Sequence, residues 1–140
     1  MPVIVEWDDP EKTIIRMSMV GRWTWDEAYE AQVRGDEMIL EVKHAVGAII
    51  DLRESTSIPL AAMANARSMN QKQNPYTKVT VFLGANPFFV SLWNVFKKVY
   101  GALQKSQSYT FVNTLEEGHT FIRTELARLA ADPKSAPPRT

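Results

Sequence analysis

Two stretches of the chain carry almost no polar side chains: Val46-Gly47-Ala48-Ile49-Ile50-Asp51-Leu52 and Val79-Thr80-Val81-Phe82-Leu83. Successive side chains of a strand point to opposite faces, so a strand with one wet face alternates apolar and polar residues. A strand that does not alternate is buried on both faces, as in a parallel sheet covered by helices. The two runs therefore predict neighbouring parallel strands at the centre of a layered domain. Between them, residues 59–71 are rich in alanine and methionine and start with Pro59, which a helix tolerates in its first turn. They predict the crossover helix.

The rest of the chain fits around this pair. Residues 3–7 and 13–20 predict two strands joined by Asp8-Asp9-Pro10-Glu11-Lys12, where Pro10 sets φ and the aspartates bond the turn backbone. In the second strand Ile15, Met17 and Met19 alternate with Arg16 and Ser18, which makes one face wetter. Thr24-Trp25-Asp26-Glu27 has the spacing of a capping box and opens a helix reaching about Val42. Gly35 weakens that helix by roughly 1 kcal/mol relative to alanine, and Lys43 and His44 suit its negative end. Asn86-Pro87 predicts a third helix to residue 103, with its aromatic residues confined to one side. A strand at 109–112 and a second capping box, Thr114-Leu115-Glu116-Glu117, lead into a last helix with the stripe Leu115, His119, Ile122, Leu126 and Leu129. Residues 132–140, with three prolines, predict a frayed tail. The expected fold is a single α/β domain over residues 1–131, with a mostly parallel central sheet of about five strands, an antiparallel N-terminal hairpin and about four helices.

Composition narrows function. Sixteen basic and sixteen acidic residues cancel, so no field gathers nucleic acid or an acidic membrane surface, and neither is expected as a partner. The absence of cysteine removes disulfides, thiolate zinc sites and iron–sulfur ligation. His44 and His119 lack ligand spacing, so no metal and no cofactor are expected. The first eight residues lack the basic start and long apolar core of a signal peptide, and the apolar segment 87–103 is broken by Ser91, Asn94, Lys97 and Lys98. A cytoplasmic protein is expected. The six glycines form neither a dinucleotide fingerprint nor a phosphate loop, and no Gly-x-Ser-x-Gly elbow exists. These absences point to binding rather than catalysis.

In its order of elements, and in the segment Val46-Gly47-Ala48-Ile49-Ile50-Asp51-Leu52-Arg53, the chain resembles the STAS domains (sulphate transporter and anti-sigma factor antagonist) over most of residues 3–130. That family has a buried strand ending in an aspartate before a regulatory loop. Its phosphorylated members place a serine after an aspartate, at the start of the next helix, with a glycine soon after. Here the loop reads Glu54-Ser55-Thr56-Ser57-Ile58-Pro59, with hydroxyls present but neither the Asp-Ser pair nor the glycine. The resemblance implies a regulatory or interaction module. Its partner would be a protein, such as a regulatory kinase or a second copy in a homodimer.

Ligands of open α/β sheets collect outside the carboxyl ends of the parallel strands. Three segments are expected there: 21–24, 51–57 and 84–86. They bring Arg22, Trp23, Asp51, Arg53 and Asn86 forward as binding residues, with Ser55, Thr56 and Ser57 as candidate phosphoacceptors. A phosphate beside arginine at a helix start is electrostatically favoured. The plainer expectation is that Asp51 and Arg53 pair locally while the hydroxyls cap a helix. Two other functions fit the residues: a carrier of a small apolar molecule beneath the aromatic third helix, and an enzyme using Asp51 as base beside Arg22 or Arg53.

Overall fold

The computed structural model describes residues 3–57, 61, 64–65, 68, 74–87, 90–91, 94, 98 and 108–131. Its elements are β1 (Val3–Trp7), β2 (Ile14–Met19), α1 (Trp25–Val42), β3 (Val46–Asp51), β4 (Thr77–Leu83), β5 (Ser108–Val112) and α2 (Leu115–Ala131). They build an α/β domain around one five-stranded sheet with strand order β1-β2-β3-β4-β5. β1 runs antiparallel to β2, and every other neighbouring pair is parallel. The two uninterrupted apolar runs are therefore adjacent and parallel, with Ile49 opposite Val81 and Ile50 opposite Phe82.

Local chemistry explains the element ends. Asp9 turns the chain between β1 and β2 by accepting from the amides of Thr13 (2.9 Å) and Ile14 (3.0 Å) and from the Thr13 hydroxyl. Lys12 takes the left-handed conformation in that turn. The Thr24 hydroxyl accepts from the Glu27 amide at 3.2 Å, and Glu27 Oε1 accepts from the Thr24 amide at 2.9 Å, so α1 starts on a complete capping box. At α2 the Glu27-type return bond is replaced. Thr114 Oγ1 accepts from the Glu117 amide at 3.1 Å and donates its own proton to Glu117 Oε1 at 3.1 Å.

Alternation along the strands sorts side chains to two helical layers. α1 buries its small residues Ala28, Ala31 and Gly35, with Ile39, against β1 and β2. α2 lies on the opposite face, where Ile122 packs among Ile14, Ile49, Val79, Val81 and Leu83. Gly47 is required there, because a Cβ at that position would overlap the Ile122 side chain. The face of β1 and β2 away from α1 is mixed, with polar residues beside Ile14. Asp8 and Arg16 meet there at 3.3 Å, Arg16 also reaches Glu6 at 2.9 Å, and His119 of α2 bonds Asp8 at 3.1 Å. His119 is thus a tie between α2 and the hairpin, not a member of an apolar stripe alone.

The second and third helices expected at 59–71 and 87–103, the aromatic stripe of the third, and the tail at 132–140 lie wholly or mostly outside the described residues. Among the described residues no helix is long and apolar enough to cross a membrane, and none of their acidic and histidine side chains cluster as a metal site.

Candidate functional site

The sheet order follows the sequence without reversal. A doubly wound sheet opens its crevice where the order reverses, since adjacent crossovers there leave to opposite sides. Among the described residues this sheet has no such point, so its candidate site is a rim along the carboxyl ends of β2, β3 and β4. Backbone bonds knit that rim. Gly21 donates to the Glu54 carbonyl at 2.8 Å, Thr56 donates to the Gly21 carbonyl at 3.0 Å, and Gly21 forms a parallel bridge with Ser55. Leu52 donates to the Leu83 carbonyl at 2.8 Å, which holds the end of β3 against the end of β4.

Asp51 closes β3 as a buried carboxylate, and Arg53 turns back over it. Arg53 Nη2 donates to Oδ2 at 2.7 Å, Nε donates to Oδ1 at 3.0 Å, and the Arg53 amide donates to Oδ1 at 3.1 Å. Burial pushes the Asp51 carboxyl up, but the hydrogen bonds and charge of Arg53, with the charge of Arg16, outweigh it and hold the group below the ordinary carboxylate range. The same pairing raises Arg53, chiefly through the bond to Asp51. Gly84 completes the arrangement. It sits at φ +72°, and a Cβ there would come within 2.6 Å of Arg53 Cγ and 3.3 Å of its backbone. The arginine stem crosses the space that a side chain at residue 84 would fill.

A guanidinium has five N–H donors in a fixed fork. Asp51 takes the edge made by Nε and Nη2, which leaves the edge made by Nη1 and Nη2 as a second bidentate face. The Arg53 side chain is 45% exposed while that of Asp51 is 10% exposed, so the pair is a solvent-facing cation on a buried anchor. Arg22, one residue beyond the Gly21 bridge, is exposed and makes no ion pair among the described residues.

The structure brings Arg22, Asp51, Arg53 and the loop 54–57 together and separates the roles expected for the others. Trp23 is only 4% exposed and packs in the α1-side core, edge-on to Trp25 with ring centroids 4.9 Å apart. It supports the rim from beneath and offers no surface to a ligand. Its indole Nε1 donates to Ser55 Oγ at 2.9 Å, and Ser55 Oγ donates to the Ser57 carbonyl at 3.1 Å. Ser55 is therefore engaged in holding the loop, while Thr56 and Ser57 are exposed. Asn86 is exposed two residues past Gly84, and its carbonyl accepts from the Val90 amide at 3.1 Å. Gly84 lies in the segment 84–86 expected at the rim, but the sequence does not indicate its role beside Arg53. A glycine after an apolar strand signals a turn, but its contact with an arginine on another strand end is visible only in three dimensions. The local pairing of Asp51 with Arg53 is as expected, and it argues against Asp51 as a general base. A base requires a pKa near the working pH, and this one is displaced the other way.

No family model matches the sequence, and no curated protein matches it. Among solved structures, the chain is similar to an uncharacterised protein from the DUF3478 family with a SpoIIAA-like fold, from Shewanella loihica PV-4. The likeness has a TM-score of 0.63 at 12% identity and covers 86% of this chain and 93% of that one. With the antiparallel first pair, the parallel remainder and helices on both faces, the chain carries the SpoIIAA-like, STAS-type α/β fold.

Proposed function

We propose that this chain is a cytoplasmic, non-enzymatic regulatory or binding domain that recognises an anionic group of a protein partner at the carboxyl-end rim. The observation that carries this reading is the Arg53 side chain: its guanidinium is fixed by two bonds to buried Asp51, beside a third from the Arg53 amide, its stem lies across Gly84, and it remains 45% exposed. A pre-oriented fork loses little freedom when it grips a carboxylate or phosphate, which is why arginine suits bidentate recognition. Arg22 adds a second cation on the same rim. The STAS-type fold supports a regulatory module, since its buried strand leads into a loop of this kind. Thr56 and Ser57 are the hydroxyls placed for modification. A phosphate on either would bring close to two negative charges beside Arg22 and Arg53 and compete with the partner for them. Ser55, whose hydroxyl clasps Trp23, fits a structural role better.

Inorganic phosphate and acetate, titrated into labelled protein, test the reading by NMR. Shifts are expected at the amides of Gly21, Arg22, Arg53–Ser57 and Gly84. Arg53→Lys keeps the charge opposite Asp51 but loses the fork, and is expected to weaken the response about tenfold. Arg22→Gln is expected to weaken it while leaving stability within about 0.5 kcal/mol, as for an exposed side chain without an ion pair. Shifts elsewhere, or a response indifferent to both substitutions, would overturn the site.

A further inference from the structure

Among the described residues β1 is an outer strand, paired with β2 on one side only. Opposed residues of an antiparallel ladder alternate between pairs that exchange both backbone bonds and pairs whose amides and carbonyls turn away. The Asp8 amide donates to the Ile14 carbonyl at 2.8 Å, and this pair continues the register that sets Trp7 opposite Ile15. The inward set is therefore Ile4, Glu6 and Asp8, and the backbone groups of Val3, Val5 and Trp7 face outward. Arg34 Nη2, which donates to the Val3 carbonyl at 3.2 Å, sits on that outer side as this parity requires. Among the described residues no other group bonds to the row. Outer strands are usually blunted by charged side chains, proline or a bulge; residues 3–7 have no lysine, proline or bulge, and their one charge, Glu6, is paired with Arg16.

The row is self-complementary. An antiparallel second copy centred on Val5 sets Val5 opposite Val5 and Val3 opposite Trp7, so the outward residues of one copy meet those of the other. On the α1 face all these side chains are apolar. On the other face Ile4, 43% exposed, falls opposite Glu6 of the second copy, whose charge is already met by Arg16 at 2.9 Å. Glu6 never faces Glu6, and with sixteen basic and sixteen acidic residues the copies carry no net repulsion. We infer that the chain forms a two-fold dimer through β1, joining the five strands of each copy into one continuous sheet. The parallel strands of the two copies then point in opposite directions. Both rims carrying Arg22 and Arg53 stay free at opposite ends, so the dimer and the anion site can be tested separately.

A five-residue pairing is small beside the roughly 1,000 Å² that a stable interface buries, so association is expected between about 1 μM and 1 mM. Sedimentation equilibrium of the full chain over that range should show mass rising from monomer to dimer. Ile4→Glu opposes Glu6 twice across the two-fold and is expected to weaken the dimer about tenfold, whereas Ile4→Lys pairs with Glu6 twice and should not weaken it. Circular dichroism checks that both variants fold. In the wild type, the Val5 and Trp7 amides should gain hydrogen-exchange protection with concentration, a readout that needs no variant. A chain that stays monomeric, a dimer untouched by Ile4→Glu, equal weakening by both charges, or unchanged amide protection would overturn the proposal.

Discussion

Trp23 holds the rim by two means: a large buried ring and a single directed bond. The ring packs with Met19, Ala28, Leu52 and Phe82, and Nε1 reaches Ser55 Oγ. Deleting it removes apolar contacts and leaves a cavity, so Trp23→Ala is expected to cost about 3–5 kcal/mol in denaturant unfolding. On sequence alone this residue is expected among the binding residues of the rim, and its burial makes it a support of the rim instead. Trp23→Phe keeps the larger part of the ring and loses the indole donor to Ser55, so it is expected to cost less, about 1–2 kcal/mol. A Trp23→Ala variant as stable as the wild type would show that the ring is not buried in solution.

At the scale of elements, α1 carries one residue that does not suit it. Gly35 faces β1 and β2, and a Cβ there would lie 3.6 Å from Val5 Cγ1 and 3.7 Å from Ile15 Cδ1, which is ordinary contact distance. Nothing has to move to accept a methyl group, and alanine restricts the unfolded chain more than glycine. Gly35→Ala is therefore expected to raise stability by about 1 kcal/mol and the midpoint of thermal unfolding with it. The contrast with Gly47 shows why this must be argued position by position, since Ile122 already fills the space beside that glycine. A loss of stability in Gly35→Ala would mean that α1 sits closer to the sheet than these distances allow.

For the molecule as a whole, two carboxylates set the acid limit. Burial raises Asp9, but bonds from the Thr13 hydroxyl and the amides of Ile14 and Thr13, with the charge of Arg123, bring it below its ordinary value. Asp51 is lowered in the same balance. A carboxyl lowered in the folded state binds fewer protons than in the unfolded chain. Its stabilisation is complete above an unfolded pKa of about 4 and is lost as pH falls through the folded value. Asp36 works in the opposite sense, because burial raises it despite a bond from Asn74. Stability is expected to fall below about pH 4, and the gap between wild type and Asp51→Asn to be widest at neutral pH and to close in acid. A gap that stays constant with pH would remove Asp51 from the account.

The strands, α1 and both helix starts could be read from the chain because they rest on local rules. Apolar runs mark strands buried on both faces, Thr24 with Glu27 closes a cap within one turn, and Asp9 folds its own turn. Even the Asp51–Arg53 pair is only two residues long. What decides the site is not local. Gly84 makes room for Arg53, Trp23 reaches Ser55, and His119 reaches Asp8, each across segments that meet only once the strands have taken their order. Sequence patterning states which face of an element is apolar, but not which partner lies against it. Whether an aromatic beside an arginine is surface or support is therefore settled by packing, since only packing determines which side of Trp23 meets water.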